Sequence, residues 1–157
     1  MIRDAQESDR VALVALLEAT EQIPSVYGAE GLDGWWLVDE QGGRLRGAVR
    51  WDWGRPECWI HVLTVAPPDQ GTGRVGLRLL QAVAAQARTY GARGLVGFAR
   101  ADRPAADLYR RGGATLEPGY RVRVDLRQPS ILMAKGGTSK LLEIKGLKVD
   151  DARKGGS

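Results

Sequence analysis

Gly71, Gly73 and Gly76 stand in the spacing G-x-G-x-x-G between an apolar run, residues 58–66 (CWIHVLTVA), and an amphipathic stretch that continues to about Tyr90. No other segment constrains the chain as much. Glycines at this spacing let a strand turn sharply into a helix. The free N–H groups of the helix start then attract a phosphate or pyrophosphate. Leu79, Leu80, Val83 and Ala87 recur at helical spacing and supply the buried stripe of that helix. Gly91 suits its C-terminal cap. The junction therefore predicts a strand–turn–helix unit with an anion-binding turn, in which Gly71, Thr72, Gly73, Arg74, Val75 and Gly76 are the candidate contacts.

The surroundings decide what kind of sheet holds this unit. Before it, residues 1–4 read as a short strand. Ser8 is a good helix N-cap, and Val11, Val14 and Leu17, widened by Leu13 and Leu16, give a first helix ending near Thr20. Residues 21–33 read as loop or a short second helix. Residues 34–39 and 44–53 read as a hairpin around Gln41-Gly42-Gly43. After the unit come a strand at 95–99, an amphipathic helix at 102–111 ended by Gly112-Gly113, and a turn at Pro118-Gly119. Tyr120, Val122, Val124 and Leu126 then alternate with charged residues as a half-buried strand. The predicted fold class is α/β, a mixed, mostly antiparallel central sheet with flanking helices. A dinucleotide domain would instead open with the glycine unit and continue in parallel βαβ repeats. Here three antiparallel-type strands precede the unit, and Arg100 rather than an acid follows the next strand. NADP binding is kept as a minor alternative.

With 157 residues, 43% hydrophobic and 27% charged, the chain suits one domain with a short appendage. The longest apolar run is seven residues, 11–17, against about 20 for a membrane span. No signal-like segment opens the chain. The expectation is a soluble, cytoplasmic protein. One cysteine, Cys58, and one histidine, His61, exclude an intrachain disulfide and a zinc site of Cys and His clusters. No metal is expected. Residues 1–134 carry 17 Arg, no Lys and 16 acidic residues, whereas residues 135–157 carry five Lys, one Arg and three acidic residues. That switch predicts a body at 1–127 and a Lys-rich extension at 128–157, read either as foreign sequence or as a strand-forming tail. The tail's charge alone gives no case for nucleic acid.

The segment LTVAPPDQGTG, residues 63–73, resembles the signature of the GNAT N-acetyltransferase superfamily: an apolar strand ending in V-x-P, a link, and Q-x-x-G-x-G opening a helix. A second segment, DRPAADLYRRGGA at 102–114, resembles the family's N-x-x-A-x-x-L-Y-x-x-x-G-F element. The resemblance covers residues 1–127. It departs at Val75, where the loop motif has Gly or Ala, at Asp102, where it has Asn, and at Ala114, where it has Phe. It implies the GNAT acyl-CoA acyltransferase fold. The implied activity moves the acetyl group of acetyl-CoA to a primary amine of a small molecule or peptide by direct attack in a ternary complex. A GNAT-fold module that binds acyl-CoA for sensing or scaffolding is the alternative. A homodimer stays open, as does the identity of the amine.

The resemblance also implies roles. Residues 70–76 and Asp102 would lie at the cofactor, and the main chain of Leu63, Thr64 and Val65 would pair with its pantetheine arm as an added strand. His61-Val62-Leu63-Thr64-Val65 resembles H-x-L-x-V of arylalkylamine-type members, where the histidine removes the amine's proton. His61 is also the chain's only side chain of a type that titrates near neutrality. Strict alternation puts it on the face of Leu63. Glu57, acting through water, is the alternative base. Tyr109 would donate a proton to the departing thiolate. Cys58 and His61, three apart on a strand, point to opposite faces, so Cys58 reads as an inert thiol. Five tryptophans allow an aromatic-lined acceptor cleft but equally suit core packing.

Overall fold

The computed structural model describes residues 1–71, 74–99, 104–111, 113–117 and 121–128. Asp102, the glycine-loop residues Thr72 and Gly73, the turn at 118–119 and the tail at 129–157 lie outside the described residues. Strand β1 (Ile2–Asp4) leads into helix α1 (Arg10–Ala19), and β2 (Trp35–Gln41), β3 (Arg44–Asp52) and β4 (Glu57–Val65) form the meander. Helix α2 (Arg74–Thr89), β5 (Gly94–Phe98), α3 (Pro104–Arg111), β6 (Thr115–Glu117) and β7 (Arg121–Asp125) complete the chain's order. The sheet order is β1-β2-β3-β4-β5-β7-β6, with β4–β5 the one parallel pair among the described strands.

Local chemistry accounts for most of these elements. Gly42 and Gly43, at φ +59° and +79°, make a two-residue turn in which both residues are left-handed, the geometry that matches the twist of a hairpin. Gly91, at φ +85°, ends α2, and the Ala92 N–H donates back to the Ala87 carbonyl at 3.0 Å. The start of α1 differs from the expected Ser8 cap. A short 3-10 turn spans Glu7–Asp9, and Asp9 closes a capping box with Gln6 on that turn. Its carboxylate accepts from the Gln6 N–H at 2.7 Å and from both ends of the Arg3 guanidinium at 2.6 and 2.9 Å. That links β1 to the helix start and holds the Asp9 carboxyl below its ordinary range, chiefly through the Arg3 hydrogen bond. Strand β6 has no signal in the sequence, because three residues carry no readable alternation.

Two cores sandwich the sheet. On one face Val75, Leu79, Leu80, Val83 and Ala87 of α2, with Leu108 and Tyr109 of α3, pack on Val49, Trp51, Cys58, Ile60, Leu95, Val122 and Val124. On the other, Leu13, Leu16 and Leu17 of α1 pack on Trp36, Val38, Ala48 and Val62. Gly47 lets α2 approach the sheet. A Cβ there would stand 2.7 Å from Val75 Cγ1 and 2.9 Å from the Thr64 carbonyl oxygen.

Two features of β4 open the sheet. Its pairing with β5 covers only Glu57, Cys58 and Trp59, opposite Gly94, Leu95 and Val96. Residues 60–65 are laddered to β3 but have no register partner on β5. The register with β3 also slips, Trp51 facing Ile60 and Arg50 facing Val62, so His61 is the extra residue of a β-bulge. A bulge bends its strand and increases its twist. This one falls just after the last β4–β5 pair, where the two strands part.

Candidate active site

The opening between β4 and β5 runs into the start of α2. Beyond Val65 the chain passes through a 3-10 turn at Pro67–Asp69. The Ala66 N–H donates to the Arg46 carbonyl at 2.8 Å, and Asp69 accepts from Arg44 at 2.9 Å and Arg46 at 3.1 Å. The Gln70 side-chain amide donates to the Val65 carbonyl at 2.8 Å. These bonds fix the exit of β4 against β3. Gly71 then takes φ +87°, a left-handed conformation suited to glycine, and the helix begins at Arg74. Arg74, Val75 and Gly76 form the first turn of the helix, whose N–H groups point out of the helix start.

The glycine motif divides its labour. Val75, the departure from the family pattern, turns its side chain into the core, where it is 1% exposed against Gly47. Gly76 serves packing as well, since a Cβ there would meet Leu108 Cδ2 of α3 at 2.5 Å. Thr64 is buried and shares a hydrogen bond with Thr20 at the end of α1, Oγ1 to Oγ1, at 2.7 Å. Leu63 and Val65 pack against the α2 face. The side chains of residues 63–65 are thus used by the fold, and the main chain facing the opening is what they offer.

Tyr109 lies on α3, 4% exposed, with burial raising its phenol above the ordinary range. Its hydroxyl reaches Gly97, coming within 3.1 Å of where a Cβ would stand. Gly97 is the first β5 residue beyond the last β4–β5 pair. Tyr109 therefore abuts the opening from the α2–α3 face as a protonated phenol.

His61 abuts it from the other face. Alternation alone places His61 with Leu63, and the bulge corrects this. His61 lies with Val62 and Arg50 on the α1 face, while Leu63 packs toward α2. Its Nε2 is 2.7 Å from Asp52 Oδ2, and both side chains are partly open, 40% and 44% exposed. Arg50 Nη2 stands 3.8 Å from the same carboxylate oxygen. Sequence reasoning misses Asp52. The only signal is its place between Trp51 and Trp53, which forces it to the opposite face from both. Glu57 lies where β4 and β5 are still paired, and its carboxylate is ion-paired with Arg123, which also bonds Glu117 at 2.7 Å. Cys58 is fully buried, its thiol pushed up to about 11 by desolvation, as the inert reading requires.

The tryptophans separate by face. Trp35, Trp51 and Trp53 gather around Tyr90 on the α2 face, with ring centroids 4.9 Å apart for Trp35–Trp51, and Trp51 is fully buried. These three are packing residues. Trp36 belongs to the α1 core. Trp59 stacks on Phe98 at 6.1 Å beside the opening. Among the described residues no group of three or more metal-binding side chains is found, and no helix is long and apolar enough to cross a membrane.

A mixed sheet whose single parallel pair among the described strands parts near a glycine-rich helix start matches an acyltransferase fold rather than a dinucleotide-binding one. The sequence profile of the Acetyltransferase (GNAT) family matches residues 4–113, and the chain belongs to that family. No curated protein matches the sequence. Solved structures share the fold. The Ard1 structure from Thermoplasma volcanium superposes with a TM-score of 0.70 at 17% identity, covering 80% of this chain and 96% of that one. A GNAT family acetyltransferase from Brucella melitensis, in complex with acetyl-CoA, gives 0.62 at 23% identity, covering 83% and 89%. The PaiA N-acetyltransferase from Thermoplasma acidophilum, in complex with coenzyme A, gives 0.66 at 14% identity, covering 78% and 95%.

Proposed function

We propose that the protein is an N-acetyltransferase that moves the acetyl group of acetyl-CoA onto a primary amine of a small molecule or peptide by direct attack in a ternary complex. The observation that carries this reading is the β4–β5 opening, with its unpaired β4 edge, helix start and two titratable side chains on opposite faces. The edge at residues 63–65 suits an extended, amide-bearing pantetheine arm, which binds as a strand would. The N–H groups of Arg74, Val75 and Gly76, with Gly71, Thr72 and Gly73 of the motif, suit a pyrophosphate. Gln70, whose side chain holds the strand exit, stands beside them. Bound there, acetyl-CoA supplies an activated acyl thioester.

The residues divide the proton work. An alkylammonium titrates near pKa ~10, so it must give up a proton before its nitrogen can attack. The Asp52 carboxylate accepts the hydrogen bond from His61 Nε2, which leaves Nδ1 with a free lone pair to act as base. His61 is favoured over Glu57 because Arg123 already engages the Glu57 carboxylate. Tyr109, kept protonated by burial, donates to the departing sulfur. Thiol release from acetyl-CoA over an amine panel tests the reading. Amine-dependent release is expected. Tight acetyl-CoA binding without release for any amine would favour the binding-module alternative, and stabilisation by NADPH alone would overturn both.

A further inference from the structure

We infer that the acceptor is an aromatic amine carrying a carboxylate at the far end of its ring from the amine, held by Trp59, Phe98 and Arg121. The inference rests on the acetyltransferase reading and names the substrate class of the same site. Trp59, the last β4 residue paired with β5, lies two positions before His61. Phe98 lies two positions after Val96, the β5 partner of Trp59, and Arg121 of β7 pairs directly with Phe98. Paired residues share a face of the sheet, so these three side chains stand on the α1 face with His61 and Asp52. The α1 core covers strands β2 to β4 and does not reach β5 or β7.

The two rings stack at 6.1 Å and 26°, yet Trp59 is 36% and Phe98 56% exposed. Two stacked rings left open beside a charge offer a stacking platform for an aromatic ligand. Trp53 shows the contrast, since it packs with Tyr90 on the closed face. The charge beside the rings is equally specific. Arg123, next on the same face of β7, is held by Glu57 and Glu117. The Arg121 guanidinium instead lies 5.9 Å from the Trp59 ring and has no carboxylate partner among the described residues. A guanidinium on an aromatic face presents its N–H fork to an incoming carboxylate.

Spacing sets the length of the acceptor. The base is on β4 and Arg121 on β7, with β5 between them. Two paired-strand spacings are about 10 Å at the backbone, and β4 and β5 part beyond Trp59, so the separation at His61 is larger still. A carboxylate on the same carbon as the amine cannot reach both groups, whereas one across a ring can.

The test uses the full chain with acetyl-CoA and four amines: 4-(aminomethyl)benzoate, benzylamine, 6-aminohexanoate and phenylalanine. The expected kcat/KM for 4-(aminomethyl)benzoate exceeds those of benzylamine and phenylalanine by about tenfold, the value of one charge-assisted pair. R121M should bring the first ratio close to one, and R121K should restore part of it. W59A, or F98A should W59A fail to fold, should cut the preference for 4-(aminomethyl)benzoate over 6-aminohexanoate. Equal turnover of benzylamine and 4-(aminomethyl)benzoate by the unmodified protein, or a ratio indifferent to R121M, would overturn the inference while leaving the acetyltransferase reading intact. No thiol release with any amine would overturn both.

Discussion

The two faces of the sheet at the β4–β5 opening are built on opposite principles. The α2–α3 face is closed: Trp51 and Leu79 are fully buried, glycines admit helices to near contact, and Tyr109 is shut in against Gly97. The α1 core spans β2 to β4, and beyond it His61, Asp52, Trp59 and Phe98 are partly exposed. Burial keeps the phenol protonated, because its charged form is penalised, whereas the imidazole stays open to solvent. The opening thus has a closed wall on one side and an accessible one on the other. A change on the closed face should therefore cost stability or chemistry, whereas a change on the open face should alter turnover and substrate choice.

Stability should respond most strongly. Leu79→Ala, in the middle of the closed face, should destabilise the fold by about 2–5 kcal/mol, read as the shift in urea midpoint. A loss below about 1 kcal/mol would mean the closed face is not tightly packed. Next comes chemistry. Tyr109→Phe keeps the packing and removes the hydroxyl, so kcat should fall about 10²-fold with acetyl-CoA affinity nearly intact. Unchanged turnover would remove Tyr109 from the proton path. On the open face, Asp52→Asn should leave folding unaltered and lower kcat by about tenfold, the low end for a hydrogen bond to a charged group. An unchanged kcat would show that Asp52 does not act through His61.

A smaller, purely structural effect belongs to the Arg3–Asp9 link. The Asp9 carboxyl titrates lower in the folded chain than in the unfolded one. Its stabilisation is therefore full above the unfolded carboxylate pKa of about 3.9 and is lost as pH falls through the folded value. Arg3→Gln should cost about 1.5 kcal/mol at pH 7, and the gap to the unmodified protein should close in acid. A gap independent of pH would assign the loss to packing.

The fold is legible in the sequence where periodicity carries it. The stripe of α2, the Gly42-Gly43 hairpin and the capping Gly91 each follow from spacing or backbone freedom, and the two motifs point to the family. The Tyr109 position is legible for the same reason, since a helix keeps its register without help from the rest of the chain. What stays hidden depends on pairing between strands. The bulge at His61 is one residue long and exists only relative to β3. Strict alternation therefore puts His61 on the wrong face and gives no reason to pair it with Asp52, nine residues away. The Trp59–Phe98 stack and the partnering of Glu57 by Arg123 likewise need the β4-β5-β7 order, which no local pattern encodes. Val75 reads as a flaw in the loop, but its side chain serves the core beside Gly47.

If the unpaired edge of β4 holds acetyl-CoA, amide hydrogen exchange along that one strand must register it. Residues 57–59 pair with β5, Trp59 with β3 as well, and Ile60 and residues 62–65 with β3 alone. In the free protein the amides of residues 60–65 that face away from β3 should exchange faster than those bonded to it, and saturating acetyl-CoA should slow exchange there and in the first turn of α2, with little change at residues 57–59. Acetyl-CoA binding that leaves residues 60–65 and the start of α2 as fast as before, or that protects a different part of the sheet, would contradict this placement of the cofactor.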